Sequence, residues 1–267
     1  MKRIVLVGDS DIAFWPKQLL PSPLNCAEEG GTEIDTTEWD QTLVSGHSGA
    51  KIAEVLPNLR TVLAESQACD DGGGGDIVGD GNRRTIRARS KSSDTLIVVA
   101  CAGENDIGEG LSLGKSVEAL REFLDMVFLS DDANSHSSYQ NNGGDRFLLF
   151  LGPKFEPWLE DDPSYKKKYS AMTRAFQHCL QEYKIENSTT KNSTSNGYRI
   201  NIHFVDCLTM FCGETANIPG ARLCGRAKAD PRYFASDQLH LSKEGYSMWK
   251  DVVETQIRQF LSASTSS

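Results

Sequence analysis

The stretch Ile4-Val5-Leu6-Val7-Gly8-Asp9-Ser10 runs four aliphatic residues straight into a glycine, an acid and a hydroxyl. A short apolar run halted by turn formers reads as a strand, here the first strand of the fold. Preceded only by Met1-Lys2-Arg3, it is too short for a secretory h-region, so a cytoplasmic location is expected.

Working outward, similar runs fall near 3–7, 42–45, 95–101, 146–151 and 199–205, separated by segments with helical periodicity. Strands alternating with helices predict a parallel α/β sheet. Ile52, Val55, Leu56, Leu59, Val62 and Leu63 form one apolar stripe; Val117, Leu120, Leu124 and Val127 form a second. Tyr165, Tyr169, Met172, Phe176, Cys179, Leu180 and Tyr183 form a third. The last helix is expected to start at Ser242, whose hydroxyl can cap it, and to carry Tyr246, Trp249, Val252, Val253, Ile257, Phe260 and Leu261 on one side, as core. The unbroken apolar run Thr95–Cys101 fits a central strand, whereas the alternating Arg199–Val205 fits an edge.

The 267 residues suffice for one full core, and the chain reads as a single domain over 1–267. Three polar stretches, 66–94, 130–145 and 186–197, read as flexible insertions, and 262–267 as a disordered tail. The net charge of −9 disfavours general nucleic-acid binding, and no apolar run reaches the roughly 18 residues of a membrane span. Seven cysteines, at 26, 69, 101, 179, 207, 212 and 224, have no regular spacing and fit reduced thiols. The sequons at Asn187 and Asn192 lie in a Ser/Thr/Asn-rich loop.

Side chains that do chemistry on such sheets stand just past the carboxyl ends of strands. There the sequence places Gly8-Asp9-Ser10, then Ser45-Gly46-His47-Ser48-Gly49, then Gly103-Glu104-Asn105-Asp106, and, before the last helix, Asp237-Gln238-Leu239-His240. Alone, each is equally an ordinary turn or cap. Together they supply a hydroxyl nucleophile, a backbone donor at a helix start, an amide donor, and an imidazole with a carboxylate three residues away to fix its tautomer.

This ordered set resembles the SGNH (GDSL-type) hydrolase family over residues 4 to about 261, through Gly-Asp-Ser at 8–10, Gly49, Gly-x-Asn-Asp at 103–106 and Asp-x-x-His at 237–240. Leu151–Trp158 also looks like the loop after the fourth strand in esterase members. The resemblance implies a three-layer α/β/α flavodoxin-like fold, with a five-stranded parallel sheet in the order 2-1-3-4-5. It implies Ser10 as nucleophile, His240 as base and then acid, and Asp237 as its orienting group. Ser10, Gly49 and Asn105 would form the oxyanion hole. It requires no metal or organic cofactor. Phe14, Trp15 and Trp158 are candidate walls of the substrate site. Asp11, directly after the nucleophile, and the three insertions depart from the common pattern.

The expected activity is therefore hydrolysis of carboxylic esters, acetyl or short acyl, through an acyl-enzyme. The partner would be a small-molecule ester: an acetylated sugar, a lysophospholipid or another short acyl ester. Two alternatives use the same residues: acyl transfer to an alcohol, and a non-catalytic module holding an anion or sugar. A zinc site from His203, Cys207, Cys212 and Cys224 is disfavoured by its spacing. The cations Arg83, Arg84, Arg87, Arg89 and Lys91 stand opposite Asp70, Asp71, Asp76 and Asp80 in one solvated loop. Gly72–Gly75 lacks the Gly-Lys-Ser/Thr of a phosphate loop.

Overall fold

A computed structural model describes residues 2–21, 41–68, 95–129, 145–189, 200–212 and 228–265. Five strands, β1 (Lys2–Gly8), β2 (Gln41–Gly46), β3 (Thr95–Cys101), β4 (Arg146–Leu151) and β5 (Ile200–Val205), form one parallel sheet in the order β2-β1-β3-β4-β5. The helices are α1 (Ser10–Ala13), α2 (Ile52–Ala68), α3 (Glu104–Gly108), α4 (Leu113–Phe128), α5 (Pro163–Thr189), α6 (Cys207–Met210) and α7 (Lys243–Thr265). Strand limits agree with the apolar runs to within one or two residues at each end. As expected, β3 is central and β5 lies at an edge.

The pleat divides the core into two halves. Val5, Val7, Val98, Ala100, Leu148 and Phe150 point to one face, under α2, α4 and α5. Ile4, Leu6, Ile97, Val99, Phe147, Leu149 and Leu151 point to the other, under α7 and its approach. Both faces are covered, which is why these strands read as continuous apolar runs rather than alternating ones. The four helical stripes expected from the sequence all pack into these halves. Phe123 and Phe128, buried on α4 between the expected positions, widen its stripe.

Two boundaries differ from the sequence reading. Residues 66–68 and 186–189, expected at the starts of polar insertions, continue α2 and α5, and the Asn187 amide donates to the Tyr183 carbonyl at 2.9 Å inside α5. The tail expected to be disordered from 262 is helical to Thr265. No breaker follows the anchoring Phe260 and Leu261, and extending a formed helix by one residue is far easier than starting one. The remaining parts of the insertions lie outside the described residues. No helix among the described residues is long and apolar enough to cross a membrane.

The strands end in register. Gly8 pairs with both Gly46 and Cys101, Cys101 with Leu151, and Leu151 with Val205, so all five chains leave the sheet at one level. At that level α1 lies directly on the end of β2, and a side chain on Gly46 would stand 2.1 Å from the Ala13 nitrogen. Gly49, by contrast, has φ of +77° with open space around it. Gly46→Ala is expected to lower stability by about 2–3 kcal/mol through backbone displacement. Gly49→Ala is expected to lose about 1 kcal/mol from its dihedral alone. Denaturant unfolding of both variants checks this, and equal losses would contradict the backbone-overlap account of Gly46.

Candidate functional site

Ser10 is the first residue of α1, immediately beyond β1. Asp9 accepts a hydrogen bond from the Asp11 N–H at 3.1 Å and so caps this single turn, while the Asp9 N–H donates to the Cys101 carbonyl at 3.2 Å. The Ser10 side chain is partly exposed. From the far end of the sequence, the Tyr246 hydroxyl donates to the Asp11 carbonyl at 3.1 Å and fastens α7 to α1.

Gly49 lies exposed in the turn between β2 and α2, and the next turns hold this segment from below. The Asn105 amide donates to the Ala50 carbonyl at 3.1 Å, and the Ile52 N–H donates to the Asp106 carboxylate at 3.1 Å. Asn105 therefore spends one amide hydrogen on the Gly49 turn and keeps a second. Asp106 caps α2 from another strand end, a role the sequence reading did not assign. Burial raises its pKa. The Lys51 ammonium pairs with Glu54 at 2.9 Å and Glu109 at 2.8 Å, adding a surface link between the same two segments.

Asp237 and His240 sit on a turn that closes on itself. One Asp237 oxygen accepts the backbone N–H groups of Leu239 and His240, each at 3.0 Å, and the other meets His240 Nδ1 at 2.7 Å. The Ala235 N–H donates to the His240 carbonyl at 2.8 Å, and Gln238 takes a left-handed φ of 57° to complete the loop. The hydrogen bond from His240, outweighing slight desolvation and helped by the two backbone donors, holds the Asp237 carboxyl at about 2. Asp237 is thus charged whenever the imidazole is neutral, and it fixes the proton on Nδ1 and leaves Nε2 as the acceptor. Ser242 caps α7 as expected, accepting the Gly245 N–H at 3.2 Å.

The structure brings Asp237 and His240 into direct contact, and Asn105 and the Gly49 turn into another. His240 is seated over α1 through Phe14, whose ring meets the imidazole edge-on with centroids 4.9 Å apart. Among the described residues the Ser10 hydroxyl has no hydrogen bond to His240; such contacts often close only when substrate binds. Phe14 is 54% exposed and Trp158 is 56% exposed, on loops leaving the carboxyl end of the sheet. Trp15 is instead buried, with its ring against Trp249 and Tyr246 and its N–H donated to the Leu19 carbonyl. It supports α1 from the core side rather than facing solvent.

Beneath α1 lies a feature the sequence reading missed apart from Asp11. The buried Lys154 ammonium stands 2.7 Å from Asp11, 2.8 Å from Glu104 and 3.6 Å from Glu156. Asp9 is buried beside them, and burial first, then the Asp11 charge, raises its carboxyl to about 8. Burial also pushes Glu104 well above the usual carboxylate range. Burial works to lower the Lys154 pKa but is outweighed by Asp11, Glu104 and Glu156, which hold the ammonium firmly protonated. Asp9, Asp11 and Cys101 place ligand atoms within 4.8 Å of one another, and Lys154 already supplies the cation there. The four described cysteines, Cys101, Cys179, Cys207 and Cys212, are buried and none is bonded to another in a disulfide; His203 is exposed, and Cys224 lies outside the described residues.

The chain matches no protein-family model and no curated protein. Solved structures do match. The psychrotrophic esterase EstA from Pseudoalteromonas sp., inhibited by monoethylphosphonate, superposes with a TM-score of 0.51 at 15% identity, covering 97% of this chain and 98% of its own. The chain has the SGNH hydrolase fold. Other SGNH-fold structures align over similar lengths. The Clostridium thermocellum family 3 carbohydrate esterase aligns over 98% of both chains at 16% identity and TM-score 0.48. The Enterococcus faecalis lipase/acylhydrolase covers 98% of this chain and 97% of its own at 13% identity and TM-score 0.45.

The raised Asp9 pKa gives the SGNH fold of this chain a particular pH dependence. A carboxyl that holds its proton more tightly when folded stabilises most below its unfolded pKa of about 4, and that contribution is lost as pH rises toward 8. Asp9→Asn keeps an oxygen to cap α1 and removes the ionisation. It is therefore expected to raise the melting temperature at pH 8 relative to pH 5, measured against the parent chain. An equal shift at both values would contradict a buried, neutral Asp9.

Proposed function

We propose that this chain is a serine esterase that hydrolyses carboxylic esters with acetyl or short acyl groups, as expected from its sequence. The observation that carries the reading is the Asp237–His240 contact at 2.7 Å on a self-closed turn whose imidazole rests on the Ser10 helix through Phe14. A histidine oriented by a charged carboxylate and packed on Phe14, which ends the short helix of a partly exposed serine, fits what serine nucleophiles require. The esterase EstA, which superposes at a TM-score of 0.51, shares this fold and supports the reading.

In the proposed mechanism the Ser10 hydroxyl oxygen attacks the ester carbonyl as its proton passes to His240 Nε2. The negative charge on the carbonyl oxygen is met by the N–H groups of Ser10 and Gly49 and the second amide hydrogen of Asn105. Collapse releases the alcohol, which takes the proton from His240, and leaves the acyl group on Ser10. Water then attacks the acyl carbon, giving its proton to His240, which returns it to the departing Ser10 oxygen. Asp237 remains ionised throughout and stabilises the imidazolium. Phe14 and Trp158 are the exposed aromatic surfaces that would meet the acyl or alcohol part.

Hydrolysis of p-nitrophenyl acetate, butyrate and octanoate is expected, with rate falling as the chain lengthens. Ser10→Ala should abolish both turnover and labelling by a fluorophosphonate. A wild-type protein that neither turns over nor labels would favour the binding-module alternative, and acetyl transfer to added alcohols outpacing hydrolysis would favour the transferase one.

Two quantitative outcomes belong to the same reading. Asn105→Ala is expected to lower kcat by about 10²–10³-fold, the usual effect of one lost oxyanion donor. The value of kcat/KM should fall on acidification, because a protonated imidazole cannot accept the Ser10 proton. A flat profile between about pH 5 and 8 under chemistry-limited conditions would overturn the base role of His240.

A further inference from the structure

Lys154 is almost wholly inaccessible, three residues past the end of β4, yet it touches the segments that carry two separate parts of the site. Its ammonium reaches Asp11, the neighbour of Ser10 on α1, and Glu104, the neighbour of Asn105 on α3. Its backbone N–H donates to the second Glu104 oxygen at 2.7 Å, so Glu104 is gripped twice by one residue. Behind it, Glu156 is 3.6 Å from the same ammonium and accepts the Tyr169 hydroxyl of α5 at 2.8 Å. Three carboxyls, Asp11, Glu104 and Glu156, thus face one ammonium with Asp9 buried beside Asp11, and an oxygen of Asp9 and one of Asp11 have no hydrogen-bond donor.

Such a cluster is a poor way to stabilise a fold. Taking ions out of water costs several kcal/mol each, and apolar side chains of similar volume often serve stability as well or better. Its value is geometric: a charged centre holds its partners at fixed distances and directions, which apolar packing does not. The side chains of Lys154, Asp11 and Glu156 are sealed from solvent and Glu104 nearly so, so any influence on turnover would pass through their neighbours Ser10 and Asn105.

We propose, building on the esterase reading, that Lys154 is a positioning residue that grips Asp11 and Glu104 together and thereby sets the spacing between the Ser10 nucleophile and the Asn105 oxyanion donor. The pairing governs the transition state and not the affinity for substrate, because the spacing matters once the carbonyl oxygen becomes charged. Displacement of a reacting or stabilising group by about 1 Å can lower rates on the order of 10²-fold.

The test is a pair of substitutions in the full chain, assayed on p-nitrophenyl acetate with kcat normalised to folded protein by circular dichroism. Glu104→Gln releases one arm at nearly constant shape and is expected to lower kcat about 10–100-fold with KM changed less than about threefold. Because the effect runs through Asn105, Glu104→Gln added to Asn105→Ala should lower kcat no further than Asn105→Ala alone. An unchanged kcat in Glu104→Gln, or a double variant reduced by the product of the two single effects, overturns the positioning role. If Glu104→Gln does not fold, Asp11→Asn releases the other arm and takes the same test. Failure of both to fold overturns the proposal in favour of a purely structural cluster. Ser10→Ala, measured alongside, separates the two failures. Turnover retained there overturns the esterase reading and this inference with it, whereas turnover lost there with kcat intact in Glu104→Gln overturns the inference alone.

Discussion

The pairing of β1 with β3, seven residues against seven from Lys2↔Thr95 to Gly8↔Cys101, is the constraint from which the rest of the site follows. Both strands are buried on both faces, so a slip of one residue would force every side chain into a space packed for its neighbour and would put a side chain where Gly8 lets the Cys101 carbonyl approach. Their common end sets α1 and α3 side by side, and β2 adds the Gly49 turn at the same level. The segments bearing Ser10, Gly49 and Asn105, from three distant stretches of chain, leave the sheet at one level through its register. Glycines at 8 and 46 permit the close backbone approach this needs, since a side chain at either would run into main-chain atoms.

Much of this was legible in the sequence, and the reasons differ by element. Strands were clear because double burial writes itself as unbroken runs such as Thr95–Cys101, and the stripes on α2 and α5 because helices pack on one side. Asp237 and His240 could be paired because their contact is local, three residues along one turn. The Lys154 cluster was not legible: its members come from three strand ends, and each looks like a solvated charge in a polar loop. Burial of a lysine depends on what surrounds it in space, and no spacing along the chain encodes that. Trp15 and Phe14 illustrate the same limit, adjacent in sequence yet one in the core and one in solvent.

Two aspartates show how surroundings divide one chemical group between opposite tasks. Asp237, half exposed and facing an imidazole and two backbone donors, gives up its proton readily, to about 2. Asp9, sealed at the end of β1 with Asp11 nearby, keeps its proton to about 8. In the proposed chemistry the first must be charged to orient His240. The second caps the helix of Ser10, and a neutral carboxyl there spares the buried cluster one more negative charge.

The hydrogen bond from the Tyr246 hydroxyl to the Asp11 carbonyl joins residues 235 positions apart. It ties the segment carrying the proposed nucleophile to the helix that follows the proposed base, across most of the fold's length. During synthesis, the sheet and the Ser10 turn can form while the segment bearing His240 is still inside the ribosome. On the esterase reading, a growing chain would then hold an inert serine until the helix Lys243–Thr265 docked against α1, which couples the gain of activity to that docking.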